Sequence, residues 1–186
     1  MQYLESAIRQ FMMYKQLGEK AIAQIEDKEL NWQANDDSNS VAMIVKHMWG
    51  NMMSRWTDFL TTDGEKPWRQ RDAEFESEGV DRTAIMNKWN EGWQCLFNAL
   101  NSITDDDLEK VIYIRNEGHS VLEAINRQIA HYSYHLGQIV YISKLRSTKE
   151  WQSLSIPRNK SNEYNSEKFS HEKQKKHFTD DWIDKK

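Results

Sequence analysis

The sequence predicts an all-α protein: a four-helix bundle with one long crossover and a polar C-terminal tail. Three observations lead there. Seven Gly and two Pro among 186 residues leave few places for tight turns, which suits long helices better than many short strands. Four stretches repeat their apolar residues at helical spacing. Eight Trp, eight Met and six Phe give large apolar surfaces to a chain that is only 38% hydrophobic. That is enough for a single core at this length. Residues 1–156 are expected to form the bundle, and 157–186 an appended tail or arm.

The first helix is expected over residues 2–27, where Leu4, Ile8, Phe11, Ile22 and Ile25 share a stripe widened by Ala7 and Met12. It ends in the charged run Glu26–Glu29 and a loop containing Asn35, Asp36 and Asp37. The second runs from about Ser40 to Leu60, with Ser38 or Ser40 accepting the free N–H groups of its first turn. Val41, Ile44, Val45, Met48, Met52, Trp56 and Phe59 make its buried face. Residues 61–80 form a polar crossover with Gly64, Pro67 and Gly79. Connections of that length are often functional.

The third helix starts near Asp81 and buries Ile85, Trp89, Trp93, Leu96 and Leu100. Beyond it, Thr104 and Asp107 can cap a short turn, and Val111–Ile114 reads as extended. No strand partner for that segment is evident in the chain. A two-fold homodimer contact would supply one. The fourth helix, about 120–146, opens with a capping box of Ser120 and Glu123. The tail offers only Tyr164, Phe169, Phe178, Trp182 and Ile183 as large apolar anchors.

Composition excludes several classes of function. The net charge is −4; residues 1–156 hold 17 basic and 23 acidic side chains. A mildly acidic body lacks the dense Lys/Arg face that nucleic acid requires. The tail cluster of Lys173, Lys175 and Lys176 reads as solvated. No apolar run approaches the ~18 to 20 residues needed to cross a bilayer, and no signal peptide is visible. One cysteine, Cys95, excludes an internal disulfide and fits a reducing, cytoplasmic setting. Cys95 itself reads as a packing residue.

The informative chemistry lies on the fourth helix. His131 and His135 are four residues apart, so both project from one face, one turn apart. They share a stripe with Ala124 and Ile142, beside the apolar face of Val121, Ile125, Leu136 and Ile139. Burying two imidazoles without partners costs about 1 to 3 kcal/mol for each unsatisfied group. A shared metal removes that cost, and the second ring nitrogen can then donate to an acceptor such as Gln128 or Gln138. The alternative is a pair of core histidines bonded to backbone carbonyls. A third ligand would come from another helix, where His47 begins the polar stripe His47, Asn51, Ser54, Asp58. His119 reads as a loop residue; His171 and His177 read as solvated tail residues.

Familiar sites are missing. Tyr132 follows His131, so the His-Glu-x-x-His protease arrangement lacks its base. There is no cysteine pair for structural zinc and no Glu-x-x-His motif of di-iron bundles. Neither a phosphate-binding glycine loop nor a nucleophile-elbow serine occurs.

Three pieces resemble the DinB-like (YfiT-like) superfamily of metalloenzymes: Val41–Met48, His131–His135, and Leu136–Ile139 directly after it. The stretches Arg55–Arg69 and Leu154–Arg158 are similar to one uncharacterised branch, a domain of unknown function. The resemblance covers roughly residues 1–170. It implies an up-down-down-up bundle, whose parallel second and third helices need a long crossover. It also implies a divalent metal held by His47, His131 and His135.

Three neutral imidazoles leave the +2 charge uncompensated and at least one position open. A bound water would have its pKa lowered toward ~7, and a bound thiol would be deprotonated. Because the superfamily includes thiol-dependent transferases and isomerases, the leading expectation is S-transfer by a metal-bound thiolate. A small-molecule thiol and an electrophile would be the partners, with Arg69 or Arg71 of the crossover holding an anionic substrate. A metal-dependent hydrolase, or a noncatalytic stress-response or interaction module with a structural metal, remain the alternatives. Imidazole ligands suit zinc or nickel, and also iron or copper. No dedicated general acid or base is identifiable, and no catalytic residue is assigned.

Overall fold

The computed structural model describes residues 2–76 and 79–183; Ser77 and Glu78 of the crossover and the last three residues of the tail lie outside them. Among the described residues the chain is mostly helical, with α1 Tyr3–Ile22, α2 Val41–Trp56, α3 Arg82–Asn101, α4 Val121–Arg146 and α5 Ser161–Phe169. One antiparallel hairpin, β1 Val111–Ile114 and β2 Glu117–Ser120, stands before α4. Short 3-10 turns occupy Asp27–Asn31, Asp72–Phe75, Asp105–Asp107 and Phe178–Asp181.

Local chemistry explains the starts of α2, α3 and α4. The side chains of Ser40 and Asp81 accept from the N–H groups of Met43 and Ala84, starting α2 and α3. Ser120 and Glu123 close the capping box of α4, and Thr104 with Asp107 closes one on the 3-10 turn. α1 stops five residues before the expected Asp27. The cause lies on α3: Arg82 donates to the carbonyls of Ile22 (3.0 Å) and Ile25 (2.6 Å), taking the free acceptors of the helix end. α2 stops at Trp56, where Asp58 turns left-handed at φ 48°.

α1 packs on α4 and α2 on α3, while α2 also meets α4 and α1 meets α3. One aromatic cluster joins all four. Phe11 of α1, Trp93 of α3 and Tyr132 of α4 lie with ring centroids 5.7 to 6.3 Å apart. Trp56 of α2 donates its indole N–H to the Tyr132 hydroxyl at 3.3 Å. Such tilted and edge-on pairs add to the area they bury.

The expectation that Val111–Ile114 lacks a partner in the chain is corrected. β2 pairs with it, from Val111 opposite Ser120 to Ile114 opposite Glu117. The strand ground for a homodimer falls with it. His119, expected in a loop, lies on β2 opposite Ile112. The turn places Arg115 and Asn116 at φ 57° and 61°, an arrangement that matches strand twist but strains residues other than Gly. Asp63 of the crossover compensates by accepting from both of their N–H groups at 2.8 Å.

The crossover is pinned at several points. Gly64 donates its N–H to Tyr113 O at 2.8 Å, and its own carbonyl accepts from Ser54 Oγ and Arg55 Nη1. At the far end of the chain, Arg9 of α1 pairs with Asp180, and Ser6 Oγ lies 2.9 Å from His177 Nε2. His177 is therefore docked and half-buried, contrary to the expected solvated residue. No helix of the described residues is long and apolar enough to cross a membrane.

Candidate metal centre

α2 delivers His47 and α4 delivers His131 and His135 to one point. The Nε2 atoms of His47 and His131 lie 3.3 Å apart, and those of His131 and His135 lie 3.1 Å apart. One ligand atom from each residue falls within 4.8 Å of the other two. His47 and His135 are buried, at 5% and 7% exposure, and His131 is half-buried. A tetrahedral ion with Zn–N bonds of 2.0–2.1 Å needs donor–donor edges of about 3.3 Å.

Proton accounting decides what these nitrogens offer. His47 Nδ1 lies 2.8 Å from Glu74 Oε2, which as a carboxylate can only accept. His131 Nδ1 faces Gln128 Oε1 at 3.3 Å, and His135 Nδ1 faces Gln138 Oε1 at 3.1 Å. A proton on each Nδ1 would satisfy these acceptors and leave a lone pair on each Nε2. In that form three lone pairs converge with no donor between them. That is unfavourable by itself, and a cation relieves it. Both α4 rings are held neutral: burial, above all, pushes His131 down to about 3. Burial outweighs the raising hydrogen bond to Gln138 and pushes His135 down to about 4. Neutral imidazoles are the ligand form. The residues present could hold a divalent metal ion.

Gln128 and Gln138 thus stand at ring nitrogens. Asn51 does not: its Oδ1 accepts from the Tyr132 hydroxyl at 3.0 Å. Tyr132 is fully buried, and burial raises its pKa. Arg69, expected to face a substrate, is turned inward. Its Nε and Nη2 donate to Glu74 Oε1 and Oε2 at 2.8 and 3.0 Å. Arg71 stays half exposed, its guanidinium 5.3 Å over the Phe75 ring. Cys95 touches Thr57 and Met52, and burial raises its thiol pKa.

The residue that sequence reasoning missed is Glu74. Burial pushes its carboxyl up, but the hydrogen bonds from His47 and Arg69 together outweigh that and leave it below the ordinary value. Its neighbour Phe75 covers the His47 ring at 5.0 Å. One sequence signal pointed there: Gly50, in the interior of α2, three residues after His47. Glycine costs a helix about 1 kcal/mol relative to alanine and usually marks a close approach. A Cβ at Gly50 would meet Glu74 Oε1 at 2.2 Å.

A family model described as "Protein of unknown function (DUF1572)" matches residues 1–160. No curated protein and no solved structure matches the chain.

Proposed function

We propose that the chain, which belongs to the family of proteins of unknown function DUF1572, is a divalent-metal enzyme catalysing thiol-dependent S-transfer. His47, His131 and His135 would hold the ion. The observation behind this reading is the convergence of three Nε2 atoms, each ring backed at Nδ1 by a side-chain oxygen. Bound there, the ion would supply a +2 charge that keeps a small-molecule thiol deprotonated near neutral pH.

The chain's own residues support a cosubstrate thiol. Cys95 is engaged by Thr57 and Met52 and its burial raises its thiol pKa, so the nucleophile would come from outside. Glu74 is the carboxylate touching the centre, and both its oxygens are engaged by His47 and Arg69. It is not free to move a proton. That observation favours an incoming nucleophile that loses its proton to solvent. It is equally what a noncatalytic module with a structural metal would have, and a hydrolase would share the same centre.

The helical pairing and shared aromatic cluster support a DinB-like four-helix bundle of up-down-down-up type. The family match, ending at residue 160, supports residues 157–186 as an appended arm. Zinc or nickel fits three imidazoles best, with iron or copper as further occupants. The test is conjugation of a chlorinated aromatic to a low-molecular-weight thiol such as bacillithiol, with and without chelator. Metal-dependent turnover is expected in the wild type and none in the triple-histidine variant. Absence of turnover over a broad panel of thiols and electrophiles would sink the transferase reading.

A further inference from the structure

We propose that Glu74 is a positioning residue of the histidine centre: it fixes His47 in the Nδ1–H tautomer and aims its Nε2 at His131 and His135. The inference rests on the metal reading only for its effect on affinity.

The need for such a residue follows from the two helices. α4 supplies the Nδ1 acceptors of its own histidines, since Gln128 and Gln138 lie three residues from His131 and His135. They share a helical face with the rings they serve. α2 offers His47 no such partner. The positions one turn away are Met43 and Ile44, which are apolar, Gly50, which has no side chain, and Asn51, whose Oδ1 is taken by Tyr132. An acceptor for His47 must be imported, and it comes from 27 residues along the chain.

The crossover is built to deliver it. The 3-10 turn Asp72–Phe75 sends Glu74 inward while Phe75 lies against the imidazole. Arg69 grips both carboxylate oxygens, so the charge is buried with a partner and the carboxylate plane is held. The space it fills on α2 is the missing side chain of Gly50. His47 is thus the one ring of the three backed by a charged acceptor, which raises ligand basicity beyond what an amide does.

Two measurements test this. Long-range 1H–15N spectra of the metal-free protein report the tautomer of His47, and chelator-competition titrations report zinc affinity. In Glu74→Ala, His47 is expected to lose its single Nδ1–H tautomer, and zinc affinity to fall about 10- to 100-fold. Glu74→Gln keeps an acceptor oxygen and is expected to lose less. Unchanged affinity and an unchanged tautomer in Glu74→Ala would overturn the proposal. Should that variant fail to fold, Gly50→Ala displaces the carboxylate without deleting it, and wild-type behaviour there would overturn the proposal equally. A wild type that takes up no zinc, yet whose His47 tautomer still follows Glu74, would remove the metal reading and leave the positioning role standing.

Discussion

Acidification of the metal-free protein should expose the cost of keeping the α4 histidines neutral. An unfolded imidazole titrates near 6.5, whereas the fold pushes His131 down to about 3 and His135 down to about 4, chiefly by burial. Below about pH 6.5 the unfolded chain therefore binds protons that the fold refuses. The stability tied to these rings is fully present above that value and drains away as the pH falls toward the folded-state values. At about pH 5 the gap is about 1.5 pH units, equivalent to about 2 kcal/mol for each ring. His131 is half-buried, so water screens part of its share, and about 3 kcal/mol is the sum expected for the pair. The assay is urea unfolding of chelator-treated protein, followed by circular dichroism at about pH 7.5 and about pH 5. A double variant, His131→Leu with His135→Leu, serves as reference because it lacks both groups. The wild type is expected to lose about 3 kcal/mol more than the reference across that interval. Equal losses in the two proteins would refute the reasoning, because the acid sensitivity would then belong to other groups. Zinc should stabilise the wild type at the higher pH.

Other outcomes follow from the same contacts. Elemental analysis of the purified wild type should find about one divalent ion per chain, and the triple variant of His47, His131 and His135 to Ala should find none; an ion retained by the variant would place the site elsewhere. Tyr132→Phe should cost about 2 to 4 kcal/mol in urea unfolding, because Asn51 Oδ1 and Trp56 Nε1 lose their buried partner. A loss below about 1 kcal/mol would show that the hydroxyl does not hold those groups. Cys95→Ser should leave thiol-transfer turnover unchanged, whereas His131→Ala should lose turnover together with the metal. If Cys95→Ser abolished turnover with metal content intact, the nucleophile would be the protein's own.

Much of the helical framework was legible because it depends on short-range chemistry. The starts of α2, α3 and α4 follow from Ser40, Asp81 and Ser120, whose side chains reach N–H groups three residues on. The His131–His135 pair was legible for the same reason: a helix places residues four apart on one face. β2 was not. Its residues Glu117, Gly118, His119 and Ser120 have weak strand preference, and its turn is held by Asp63, more than fifty residues earlier. The end of α1 was misjudged because Arg82, on another helix, takes its last carbonyls.

By itself, then, the sequence determined what lies within a few residues along the chain: caps, faces, the histidine pair on α4 and its two glutamine partners. Tertiary structure alone decided what long-range contacts make. It brought His47 across to the pair, set each Nε2 toward the others, and turned Arg69 from solvent to Glu74. It also drew Glu74 into the gap left by Gly50. The physical reason is separation along the chain. A hydrogen bond between residues three apart is implied by the helix that holds them, whereas one spanning 27 residues exists only once the crossover has closed over α2.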